Sequence, residues 1–116
     1  MKEYKVIFHI DEMNKWKLLL TNVYNLKQAI KNDFITIEVL ANSEAVKFFV
    51  QTTFTESDLL KVRGLIKSGV IFCACNNSLL SNKIDPKLLL KDVIVVPSGV
   101  AELMIKQHES YAYIKP

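Results

Sequence analysis

The sequence predicts an α/β fold built on a mostly parallel sheet, and three observations carry that prediction. Short β-rich runs alternate with segments whose apolar residues recur at helical spacing. The runs 70–75 and 93–96 are apolar without a break, as in strands buried on both faces. Clusters of Asn, Asp, Ser, Gly and Pro separate the segments. Helices that return the chain between parallel strands make right-handed crossovers and cover both faces of the sheet.

The first strand, Tyr4 to Ile10, stops at Asp11-Glu12. From Trp16, apolar residues recur at Leu19, Leu20, Val23, Leu26 and Ile30, one face of a helix that breaks at Asn32-Asp33. Ile35 to Leu40, rich in β-branched residues, is the second strand. Asn42-Ser43 opens a short helix holding Ala45, Val46, Phe48 and Phe49, and Gln51 to Thr53 reads as a loop. Thr55, with Asp58 three residues on, predicts a capped helix from about Ser57 to Lys67, closed by Ser68-Gly69. Val70 to Cys75 is the third strand. Asn76 to Asp85 reads as a polar turn plus a short helix, and Pro86 starts a further turn. Val93 to Val96 is the fourth strand, stopped by Pro97. Ser98 caps a helix reaching Gln107, with Val100, Leu103 and Met104 on its inner face. Tyr111 to Ile114 makes a short fifth strand.

The composition bounds the rest. With 116 residues, half of them apolar and 23% charged, the chain supports one core and one domain spanning 1–116, and it is not a disordered chain. The net charge is +3, yet the basic residues are scattered and all but Arg63 are Lys. That is the pattern of a solvated surface; a nucleic-acid partner is not expected. No apolar stretch approaches the roughly 18 to 20 residues that cross a bilayer, and the first residues lack the features of a secretion signal. A cytoplasmic protein with no membrane partner is the expectation.

In an open parallel sheet, ligands bind beyond the carboxyl ends of the strands. Those ends bring His9, Asp11 and Glu12 from the first strand, and Asn42 and Ser43 from the second. The third brings Cys75, Asn76, Asn77 and Ser78, and the fourth Ser98 and Gly99. The same residue types also serve as ordinary caps and turns. Cys75 is the most pointed of them, because it sits just before an apparent helix start whose N–H groups stabilise a thiolate. It is either a nucleophile or persulfide carrier, or a buried and inert small hydrophobe. Cys73 points to the same face from deeper in the sheet. Two strand residues hold their Cα atoms roughly 6.4 to 6.8 Å apart, the far edge of disulfide geometry.

Other chemistries find little support. Cys-x-Cys supplies two ligands and only His9 and His108 remain as nitrogen donors, so no metal site is expected. His108, in the last turn of its helix, complements the helix dipole. No Gly-rich phosphate loop follows the first strand, and Ser98-Gly99 is not a nucleophile elbow, so no cofactor is expected.

The segments Gly69 to Leu79, Val95 to Leu103, then Gln107 and Tyr111 to Pro116 together resemble the DsrE/DsrF-like family, as do Phe8-His9-Ile10, Trp16 and Asn22 to Asn25. The resemblance implies a three-layer α/β/α domain with five parallel strands, often assembled into trimers or hexamers. It implies sulfur carried as a persulfide, here on Cys75, between donor and acceptor proteins, which would make the chain a possible sulfurtransferase. His9, Asn42, Ser43, Asn76, Asn77, Ser78, Ser98 and Gly99 are the candidate binding wall around Cys75. Two positions depart from the family pattern. Asn42 and Ser110 stand where glycine is usual, and Asn42 is expected to take the left-handed backbone itself. Alternatives are a small-ligand-binding or assembly module without turnover, and a redox-sensing thiol in which Cys73 resolves Cys75. The consecutive Phe48-Phe49-Val50 and the aromatic Tyr111 to Ile114 predict a homo-oligomer, with 48–50 as a contact.

Overall fold

The computed structural model describes residues 2–116. Five strands form one parallel sheet in the order β4-β3-β2-β1-β5. They are β1 (Glu3–Ile10), β2 (Phe34–Ala41), β3 (Ile71–Cys75), β4 (Ile94–Val96) and β5 (Ala112–Ile114). The helices between them are α1 (Trp16–Ala29), α2 (Glu56–Lys67), α3 (Asn76–Ser81) and α4 (Gly99–His108). The Thr55 hydroxyl accepts the Asp58 N–H at 3.1 Å, the cap that the sequence predicts for α2. Gly69 takes φ +104° just beyond that helix, a backbone only glycine adopts cheaply.

Side chains alternate along each strand, so the paired registers sort the sheet into two faces. One face carries Val6, Phe8, Ile10, Ile37, Val39, Ala41, Phe72 and Ala74, all buried in the larger core with α1 and Val62 of α2. The other carries Ile7, Leu40 and Cys73, buried with Leu103 of α4. This second face has one helix over it, which produces most of the departures from the sequence expectations.

The run 93–96 is not buried on both faces: β4 is an edge strand, and Ile94 is 51% exposed. An edge strand has a neighbour on one side only, and α4 crosses too far from it to cover Ile94. Leu103 does face inward, but Val100 and Met104 are exposed, because a ten-residue helix on a sheet buries a single narrow stripe. The segment 43–49 is a 3-10 turn, Ser43–Phe49, and Gln51–Thr53 is a second one.

Phe48 and Phe49 are buried, which contradicts their assignment to an intermolecular contact. The tighter 3-10 winding turns both rings inward, where Trp16 stacks on Phe48 at 4.3 Å and meets Phe49 edge-on at 5.1 Å. The indole Nε1–H donates to the Ala45 carbonyl at 3.0 Å, so the largest side chain of this layer is satisfied. Asn42 is extended, at φ −134°, and the left-handed residue is Ser43, at φ +50°. Ser110 is left-handed too, at φ +73°, and it turns the chain from α4 into β5.

Candidate functional site

Cys75 ends β3, and the next residue begins α3. The loop after β4 then brings the first residue of α4, Gly99, against it. The Gly99 N–H donates to Cys75 Sγ at 3.2 Å. Glycine suits this contact: a Cβ there would be crowded, at 3.1 Å from Cys75 Cβ, 3.1 Å from Leu40 Cδ1 and 3.3 Å from Asn42 Cβ. Ser78, one turn into α3, is buried. Its hydroxyl oxygen accepts the Ser43 N–H at 2.7 Å, which leaves its own hydrogen for the thiol.

These donors favour ionisation of the sulfur. Burial works against ionisation of Cys75, yet the Ser78 hydroxyl and the N–H groups of Ser78, Gly99 and Asn77 outweigh it and hold the thiol below its ordinary value. The sequence places this stabilisation at a helix start after Cys75. The structure gives α3 only six residues and takes a key donor from α4, a segment more than twenty residues further on.

Cys73, on the same face, is driven the other way. Burial pushes its thiol up, and the carboxylates of Glu38 and Glu102 push it further. It stays a protonated thiol and is a poor attacking group. Glu38 itself is buried on β2, with its pKa raised to about 8, chiefly by burial and then by the neighbouring Glu102. Lys106 lies 3.9 Å from Glu38 Oε1 and 3.6 Å from the Glu109 carboxylate, while Glu38 Oε2 has no hydrogen-bond partner among the described residues. Glu38, Cys73 and Glu102 bring ligand atoms within 4.8 Å of one another, the donor set best able to hold a cation, and the Lys106 ammonium already stands beside it. The sequence reading missed this cluster. The spacing of residues along β2 gives no sign that Glu38 is buried, which follows from the docking of α4 on this face.

The remaining rim residues divide. His9 joins the site through Asn42, with Nε2 2.9 Å from Asn42 Oδ1, and its Nδ1 lies 2.6 Å from the Tyr113 hydroxyl. Tyr113 was not among the expected residues, because nothing in the sequence places the last strand beside the first. Ser98 spends its hydroxyl capping α4 through the Ala101 N–H at 3.3 Å. Asn76 is half-buried at the start of α3, and its side chain makes no hydrogen bond among the described residues. Asp11 pairs with Lys115 at 3.2 Å, away from the thiol, and Glu12 lends its carbonyl to the Lys15 N–H.

Fold and site together define a small parallel α/β protein with a hydrogen-bonded cysteine at the carboxyl edge of its sheet. The chain belongs to the DsrE/DsrF-like family, a family related to sulfur relay, whose sequence profile matches residues 8–116. It is 37% identical to the protein of unknown function MTH1491 from Methanobacterium thermoautotrophicum, with a TM-score of 0.85 over 97% of this chain and 99% of that one. The ychN protein from E. coli shares the fold at 13% identity, with a TM-score of 0.74 over the full length of both chains. No curated protein matches the sequence. No helix among the described residues is long and apolar enough to cross a membrane.

Proposed function

We propose that this protein is a cytoplasmic persulfide carrier in a sulfur relay, with Cys75 taking up sulfur from a donor protein and handing it to an acceptor. The observation that carries the reading is the Gly99 N–H donating to Cys75 Sγ at 3.2 Å, at a position where any side chain would be crowded. In loading, the Cys75 thiolate attacks the outer sulfur of a donor persulfide. The donor S–S bond breaks and its electron pair stays on the donor's inner sulfur. The outer sulfur arrives on Cys75 with its proton, so no external oxidant or reductant is needed. The buried, protonated Cys73 supports a one-cysteine carrier over a redox pair.

Incubation with a small persulfide donor is expected to add the mass of one sulfur atom to Cys75 and none to Cys73. Iodoacetamide should likewise modify Cys75 in the folded protein and Cys73 only after denaturation. Sulfur found on Cys73, or on neither cysteine, overturns the reading.

We further infer that the chain works as a homo-oligomer, a trimer or hexamer as the family resemblance implies. The supporting surface is the thinly covered side of the sheet, where Ile71 and Ile94 are exposed, together with the exposed Val100, Met104 and Ile105 of α4. Light scattering at micromolar concentration should give a multiple of 13.3 kDa, which Met104→Lys lowers. A parent mass near that of one chain rejects the assembly.

A further inference from the structure

His9 lies near the end of β1, Asn42 directly follows β2 and Tyr113 is on β5, so three segments of the sheet meet at one rim. Their side chains form a single hydrogen-bonded row, Tyr113 to His9 at 2.6 Å and His9 to Asn42 at 2.9 Å. An amide oxygen only accepts, so His9 Nε2 carries the proton and donates to Asn42 Oδ1. With Asn42 Oδ1 facing the ring, Nδ1 accepts the Tyr113 O–H.

The consequence falls on Asn42. Its oxygen is engaged, and its Nδ2 group, with two hydrogens to donate, makes no hydrogen bond among the described residues. Exchanging the two ends of the amide would require the imidazole proton to move to Nδ1 and the Tyr113 hydroxyl to become the acceptor. Asn42 and Cys75 flank the same residue: the point where a Gly99 side chain would begin is 3.1 Å from Cys75 Cβ and 3.3 Å from Asn42 Cβ, so the two side chains start close together at the rim. A persulfide lengthens Cys75 by one S–S bond of about 2.05 Å and places its negative charge on the outer sulfur. Gly99 and Ser78 serve the inner sulfur. The outer one is left for a further donor, and a charge-assisted hydrogen bond to it would favour the anion.

We propose that the Asn42 side-chain amide binds the outer sulfur of a Cys75 persulfide, with His9 and Tyr113 as positioning residues that hold the amide in that orientation. This rests on the persulfide reading of Cys75. In delivery, an acceptor thiolate attacks the outer sulfur and the Cys75 S–S bond breaks. The electron pair returns to the Cys75 sulfur, where Gly99 and Ser78 hold it, and Asn42 releases the sulfur that leaves.

The test loads the full chain with glutathione persulfide and reads the fraction of Cys75 carrying sulfur by intact mass. Asn42→Ala is expected to lower that fraction at least tenfold. Asn42→Asp keeps an acceptor for His9, and so the local structure, but loses the donor; it should lower loading by as much or more. Alkylation of Cys75 by iodoacetamide should change less than twofold in Asn42→Ala. Tyr113→Phe should reduce loading about threefold in the parent and not at all when Asn42 is already Ala. Loading of Asn42→Ala equal to the parent overturns this inference alone. Alkylation falling in step with loading also overturns it, since Asn42 would then merely support the thiol's surroundings. A parent that takes up no sulfur overturns the persulfide reading and this inference with it.

Discussion

Phe49→Asp is expected to abolish folding at room temperature. Phe49 is fully buried between the rings of Trp16, at 5.1 Å, and Phe72, at 6.1 Å. Losing a buried phenylalanine costs about 3 to 5 kcal/mol. A carboxylate in its place gives up several kcal/mol of hydration as well, with no cation in the cluster to offset it. The sum reaches the whole stability of a typical domain, about 5 to 15 kcal/mol. Circular dichroism and the fluorescence of Trp16, the single tryptophan, read the outcome directly. A soluble variant with the parent spectrum and a smaller oligomeric mass would restore 48–50 as a contact between chains, against the packing described above.

The second large effect concerns pH. Glu38 holds its proton in the folded chain up to about pH 8, whereas its ordinary value is 4.5. Between these values the folded state binds the proton that the unfolded state has released, so raising the pH favours unfolding. The contribution is fully present below about pH 4.5 and is lost as pH rises through about 8. One pKa unit is worth about 1.4 kcal/mol, which makes the loss of the order of a few kcal/mol over that window. Cys73, Glu102 and Lys106 are the groups that face Glu38. The attraction of Lys106 opposes the shift without cancelling it. Urea midpoints measured from about pH 5 to 9 should fall in the parent and run flatter in Glu38→Gln, whose amide is neutral throughout. The variant should be the more stable of the two at the alkaline end. Parallel slopes for both proteins would place the titration elsewhere.

Such a residue shows where reading a sequence stops. Glu38 follows Ile37 and precedes Val39, and an alternating strand sends every second side chain to the opposite face. Alternation says that Glu38 and Leu40 share a side, but not whether that side meets water or a helix. The sequence reading therefore recognises the strand and misses the buried cluster.

Much else was settled locally. Helical spacing from Trp16, the Thr55 cap, the glycine after α2 and the apolar run into Cys75 are short-range signals, and each element formed where it was expected. The position of Cys75 was legible too, because a cysteine at the end of a central strand reaches the rim of any parallel sheet. Three things were decided only by tertiary structure. The strand order put β4 and β5 at the two edges, which exposed Ile94 and set Tyr113 beside His9. The winding of 43–49 as a 3-10 turn carried Phe48 and Phe49 inward. The packing of α3 and α4 against the end of β3 supplied the Ser78 and Gly99 donors, which shift Cys75 down while burial shifts Cys73 up, two residues away. Propensity and spacing act over a few residues, whereas the protonation state of a thiol depends on burial and donors that distant segments bring to it.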